Sequence, residues 1–145
     1  YADCVPLIFH DPKKGVVALA HAGWLGTVRN VAKATLDSLH ARYGTDPRDV
    51  RAAVGPSIGP DHYEVGADVA EKFRAAFNSQ ADSLLEPRGE KFHLDLWQAN
   101  RLQLEAAGVE NVEVAQVCTA CHLDDWFSHR AEKGKTGRFG ALIGL

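Results

Sequence analysis

Two short apolar runs open the chain, Val5-Pro6-Leu7-Ile8-Phe9 and Val16-Val17-Ala18-Leu19-Ala20, and the stretch between them, His10-Asp11-Pro12-Lys13-Lys14-Gly15, has turn chemistry. Runs of this length joined so tightly predict a hairpin of two buried strands. In a hairpin, residues distant in sequence face each other, so Cys4 before the first strand and His21 after the second are predicted at the same open end. From Thr27 the period changes. Val28, Val31, Ala32, Thr35 and Leu39 recur at helical spacing, with Thr27 as N-cap and Gly44 closing the helix. Arg51-Ala52-Ala53-Val54 reads as a third strand.

Residues 55–66 are too rich in Gly and Pro for regular structure, yet Ile58, Tyr63 and Val65 predict a loop that packs down as a wall. Ala67 to Phe77 is predicted as a second helix, and the polar segment from Asn78 to Lys91 as mobile. Ala99, Leu102 and Ala106 mark a third helix from about Asp95 to Ala107, ended by Gly108. Val112 to Val117 and Ala141 to Leu145 read as further strands. Strands interleaved with amphipathic helices predict an α/β protein, and 145 residues predict one domain.

Composition then narrows the function classes. A net charge of −3, with 24% charged residues, brings no basic patch for nucleic acid, and no apolar span of about 18 residues argues for a membrane. Three cysteines are too few for a disulfide framework and fit a reducing, cytoplasmic location. The strand-like sequence starts at Tyr1 with no initiator Met or cap, which predicts that an N-terminal part of the natural polypeptide is absent.

Three stretches carry candidate chemistry. His21 ends an apolar strand and precedes the glycine-flanked turn Gly23-Trp24-Leu25-Gly26, the place where open α/β sheets put ligands. A lone His there is more often structural, and Cys4 at the same end is what makes it a site candidate. Cys118-Thr119-Ala120-Cys121-His122 matches the c-type haem pattern, but the strand-and-turn context and the lack of an export signal exclude that reading. A zinc knuckle lacks a second Cys pair, so both cysteines are expected to be small buried apolar residues with no catalytic part. Arg130 and Arg138, near Trp126 and Phe127, suit a ligand with a flat ring and an anionic group, against the competing reading of solvated surface charges.

Taken in order, Ala2-Asp3-Cys4-Val5-Pro6, His21-Ala22-Gly23-Trp24, Gly55-Pro56-Ser57-Ile58-Gly59-Pro60 with Tyr63-Glu64-Val65-Gly66, His93-Leu94-Asp95-Leu96-Trp97-Gln98-Ala99-Asn100, Cys118-Thr119-Ala120-Cys121, and Phe127-Ser128-His129-Arg130 with Thr136-Gly137-Arg138 resemble the signature of the YfiH-like, laccase-domain family. The resemblance runs the length of the chain. It implies a CNF1/YfiH-like α/β (α+β) fold of mixed sheets layered between helices. It also implies a zinc-dependent purine nucleoside phosphorylase that converts adenosine or inosine to free base and ribose 1-phosphate, with adenosine deaminase side activity. Cys4 and His21 are then both metal ligands and catalytic residues, with a His of an N-terminal segment as the third ligand and copper as the alternative metal. The family usually carries Arg where this chain has Leu25. On this reading the partners are a purine nucleoside and phosphate, with Arg130 or Arg138 and the helix N-terminus after Thr27 holding the anion. The rival readings are a Cys-His amidase editing peptidoglycan precursors, a copper polyphenol oxidase and a zinc-stabilised binding domain. The copper oxidase lacks the repeated His-x-His elements such centres use.

Overall fold

In the computed structural model, which describes residues 1–145, the hairpin forms as the pattern predicts. β1 (Val5–Asp11) and β2 (Val16–Ala22) pair antiparallel, with Val5 opposite Ala22 and Asp11 opposite Val16. The turn is built by Asp11, whose Oδ1 accepts from the backbone N–H of Lys13 at 2.9 Å and Lys14 at 3.0 Å, and by Gly15 at φ +60°. β3 (Arg51–Val54) adds antiparallel to β1, and β7 (Asn111–Val114) adds parallel to β3, giving a mixed sheet in the order β2-β1-β3-β7. Val5, Leu7 and Phe9 point to one face with Ala20, Ala22, Ala52 and Val54, and all are buried in the main core. Each fully buried side chain of the size of Leu or Phe contributes about 1.5–3 kcal/mol of transfer free energy.

Helices cover that face. The helical pattern predicted from Thr27 is two helices, α1 (Trp24–Val28) and α2 (Val31–Tyr43), and the first is capped by Gly23 rather than Thr27. The break is Asn30, which adopts left-handed φ 53° and ψ 54° and caps α2 by accepting from Lys33 N–H at 3.1 Å. Asn tolerates that conformation better than most residues, and helical periodicity does not register it. α2 ends at Gly44 with φ 67°, as expected. α3 (Ala67–Phe77) matches its predicted span, and its Phe73 and Phe77 rings stack at 5.6 Å. α4 (Leu96–Ala106) is capped by Asp95, whose Oδ1 accepts from Gln98 N–H at 2.9 Å.

Three expectations are corrected. The segment from Asn78 to Lys91 is ordered into a 3-10 turn (Asn78–Ser83) and a hairpin of β5 (Leu85–Arg88) with β6 (Lys91–Leu94), to which β4 (Glu64–Val65) adds as a second, three-stranded sheet. Buried Ala81, Leu84 and Leu85 anchor it, few enough to be lost among polar neighbours. The strand predicted over Val112–Val117 stops at Val114, because Gln116 at φ 53° turns the chain out of the sheet. Ala141–Leu145 forms no strand, and Leu142 is 95% exposed with no partner edge to pair. The architecture is mixed α/β, with sheets and helices layered about one core.

Candidate functional site

The second face of the hairpin carries the candidate chemistry. Pro6 lies opposite His21 in the β1–β2 register, so Cys4, two residues before Pro6, falls on the same face as His21 and opposite Gly23. Gly23 is required there: a Cβ would sit 2.8 Å from Cys4 Sγ. Both side chains line a cavity of about 510 Å³ together with Trp24, Tyr63, Arg130 and Arg138. A groove of about 560 Å³ on the sheet at Ile8, Arg51 and Glu110 gathers neither Cys nor His.

The cavity holds charges of both signs, with Asp3 on the Cys4 side and Arg138 opposing it. Burial pushes the Cys4 thiol up, and the neighbouring Asp3 carboxylate pushes it further, so a positive charge at the sulfur would relieve both effects. Partial desolvation holds His21 below the ordinary imidazole value, which favours the neutral form that binds metals. Its ring stacks on Tyr1 with centroids 4.8 Å apart. Burial, with Cys4 nearby, pushes Tyr63 up to about 12, so its hydroxyl stays protonated as a donor.

Asp3 organises the rim. At φ 80° it is one of the few non-glycine residues with positive φ, and its side chain is buried. Its Oδ1 accepts from Thr119 Oγ1 at 2.8 Å, its Oδ2 from Arg130 N–H at 2.7 Å, and its carbonyl from Ile58 N–H at 3.0 Å. The loop of residues 55–66 and the C-terminal segment are thereby drawn in around Cys4. Ile58 is fully buried and Tyr63 lines the cavity, so the loop packs as the predicted wall. Arg130 Nη1 donates to Glu64 O at 2.6 Å, its guanidinium lying 5.3 Å from the Tyr63 ring centroid, and Arg138 Nη1 donates to Gly137 O at 2.6 Å. With five N–H donors each, both guanidinium groups keep donors for an anion.

The expected anion site after Thr27 does not form. Thr27 is fully buried, its N–H and Oγ1 both donate to Gly23 O, and α1, with 5 residues, starts ahead of it. Thr27 instead locks the turn beside Cys4. Asn100 Nδ2 donates to Thr27 Oγ1 at 3.1 Å and to Leu96 O at 2.8 Å, and Gln103 Nε2 donates to Thr27 O at 2.7 Å. Asn100→Ala should therefore cost about 2–3 kcal/mol, since it leaves two buried groups without their donor. Thermal unfolding would show this as a drop of roughly 5–10 °C; a change within 1 °C would show that Asn100 holds nothing in place.

The cysteine pair also departs from expectation. Cys118 is buried, but Cys121 is exposed, and both face His62. His62 Nδ1 lies 3.7 Å from Cys118 Sγ and 3.6 Å from Cys121 Sγ, and the three donor atoms fall within 4.8 Å of one another, a group that could hold a metal ion. Sequence reasoning sought the partners of Cys118 and Cys121 in a second Cys pair. The third donor is instead a histidine 56 residues from Cys118, in a loop whose composition marks only packing. The single local signal was the Cys-x-x-Cys spacing itself.

A family described as multi-copper polyphenol oxidoreductase laccase matches residues 1–145. The chain is 45% identical over 144 residues to a purine nucleoside phosphorylase of Deinococcus radiodurans, covering 99% of the chain and 54% of that protein. It is 42% identical over 140 residues to the adenosine deaminase RL5 of an unknown prokaryotic organism, covering 94% of the chain and 53% of that protein. The crystal structure of the Bacillus licheniformis hypothetical protein YfiH superposes with a TM-score of 0.89 at 40% identity, over 94% of the chain and 52% of that structure. The chain spans about half the length of the relatives it matches.

Proposed function

We propose, from the premise that this chain belongs to the multi-copper polyphenol oxidoreductase laccase family, that it carries the active site of a zinc-dependent purine nucleoside phosphorylase with adenosine deaminase side activity. The observation that carries this reading is the meeting of Cys4 and His21 on one sheet face, in a cavity that also presents two arginines and a row of aromatic rings. The names of its relatives, phosphorylase and deaminase, point to the same substrate class.

The donor set fits zinc. Cys4 offers sulfur and His21 offers a ring whose nitrogens no hydrogen bond within the chain is found to perturb, with a histidine beyond these residues as the third ligand the family resemblance implies. Bound there, zinc would supply a Lewis acid and lower the pKa of a coordinated water. The chain's own residues do the rest. Trp24 offers an aromatic surface for a purine beside the stacked Tyr1 and His21 rings, and the Tyr63 hydroxyl offers a proton donor. Arg130 and Arg138 take the oxygens of phosphate and hold it against the ribose. Phosphorolysis then forms a bond from a phosphate oxygen to C1′ as the bond from C1′ to the purine breaks, and the departing base takes up a proton.

The test is release of free base and ribose 1-phosphate from inosine and adenosine by the full-length protein, with and without phosphate and before and after chelation. Phosphate-dependent, chelator-sensitive release is expected, with ammonia as a minor product from adenosine. Amide hydrolysis of peptidoglycan precursors that survives chelation, without base release, would replace this reading with the Cys-His amidase.

A further inference from the structure

β7 ends at Val114, and residues 115–145 contain turns but no helix or strand. Yet this segment brings Arg130 and Arg138 to the cavity. So long a stretch without its own elements is held by point anchors rather than by a ladder. One of them is at Cys118, where Ser57 and Cys118 form an isolated parallel bridge, with Ser57 N–H donating to Val117 O and Thr119 N–H donating to Ser57 O, both at 3.1 Å.

Two of the separations at that anchor, from the imidazole nitrogen to each sulfur, are those a shared ion would set. Zinc bonds of about 2.3 Å to sulfur and 2.0–2.1 Å to nitrogen, at tetrahedral angles, place S and N about 3.6 Å apart. His62 Nδ1 lies 3.7 and 3.6 Å from the two sulfurs. That nitrogen has one lone pair or one proton, so a single thiol would satisfy it as a hydrogen-bond partner. Facing both sulfurs at matched distance is the geometry of a shared ion. Gly59 adds an independent sign. Its N–H donates to Cys118 Sγ at 3.2 Å, and a Cβ there would stand 3.2 Å from Cys118 Cβ, tighter than ordinary contact, so only glycine lets the loop backbone lie this close to the sulfur. The Cys118–Cys121 turn is closed by Cys121 N–H donating to Cys118 O at 3.2 Å, which turns both sulfurs to one side. Two thiolates and an imidazole are soft donors that select zinc over calcium or magnesium. With His62 and Cys121 exposed, a fourth position opens to water.

We propose that His62, Cys118 and Cys121 bind a zinc ion that clasps the loop after β3 to the C-terminal segment. The ion is distinct from the one assigned to Cys4 and His21. By fixing His62 it fixes the adjacent Tyr63, and by fixing Cys118 it fixes the start of the segment that delivers the two arginines.

The experiment titrates Co²⁺ into the reduced, chelator-stripped full chain without oxygen, in a Cys4→Ala, His21→Ala background that removes the donors of the other site. One equivalent is expected to bind, with sulfur-to-cobalt charge-transfer absorption and the intense visible bands of a tetrahedral centre. His62→Ala or Cys121→Ser in that background should weaken binding by more than about 100-fold, since even indirect supporting contacts are worth 10–100-fold. Both positions are exposed, so the variants should fold, and far-ultraviolet circular dichroism checks that they do. Zinc should also protect the bonds after Cys121 from limited proteolysis in the parent and not in Cys121→Ser. No cobalt bound in the background variant, a spectrum and affinity unchanged by Cys121→Ser, or a Cys118–Cys121 disulfide in protein purified without reductant would each overturn the clasp. None of these outcomes touches the phosphorylase reading, which is tested by base release.

Discussion

His21→Ala is expected to lower phosphorolysis of inosine by more than about 100-fold while leaving the protein folded. The two effects separate because of where His21 sits. It is the last but one residue of β2, exposed, on the face away from the main core, and its packing partner is the Tyr1 ring. Losing a stacked aromatic pair costs about 0.5–1.5 kcal/mol, a small fraction of the stability of a domain this size. If His21 holds the proposed zinc, its loss removes one of the few donors and with it what the ion supplies, and even supporting contacts to such ligands are worth 10–100-fold. Base release, zinc stoichiometry and a thermal scan on the same preparation check it. Activity within tenfold of the parent, or a fall in melting temperature that parallels the loss, would remove His21 from the site.

Cys4 and His21 were legible because what unites them is local. A hairpin register follows from its turn, and the turn chemistry of residues 10–15 is explicit in the sequence, so the strand ends had to meet. The spans of α3 and α4 were legible for the same reason, with their apolar period bounded by Gly66 and by the Asp95 cap. What was missed depends on long-range partners. The β5–β6 hairpin is exposed at three of the four positions of β5, so its pattern is that of a polar loop, and only its seat on Leu84 and Leu85 orders it. Asn30 and Gln116 reverse the chain by left-handed conformations that neither residue requires and that packing selects. The His62, Cys118 and Cys121 group was illegible because the element that joins its halves is a single bridge at Ser57 rather than a patterned strand. Arg130 and Arg138 stood out as cations beside aromatic residues, but the approach of Arg130 to the cavity rests on Asp3, whose sequence context shows nothing of its bonding, and that of Arg138 on the pairing of Phe139 with Tyr1.

Asp3→Ala is accordingly expected to be among the most damaging single changes in the chain. The carboxylate is buried and accepts from the Thr119 hydroxyl and the Arg130 backbone N–H, and hydrogen bonds to a charged group are worth about 1.5–3 kcal/mol each. Alanine also has to hold φ 80°, a conformation that Asp and Asn tolerate and that costs other residues about 1–2 kcal/mol. The sum, about 4–6 kcal/mol after some relaxation, corresponds to a melting temperature lower by roughly 10–20 °C. Asn is the informative control, because it keeps the positive φ and one carbonyl acceptor while giving up the charge. Asp3→Asn should recover about half of the lost stability and fold, and its residual defect should appear as a raised KM for phosphate, since the anchor of Arg130 is weakened while Cys4 and His21 stay in register. Urea unfolding and phosphate-dependent kinetics on the two variants decide it. Equal stability of Asp3→Ala and the parent would mean that the buried carboxylate holds neither segment, and an unchanged KM in Asp3→Asn would mean that Arg130 reaches the cavity without it.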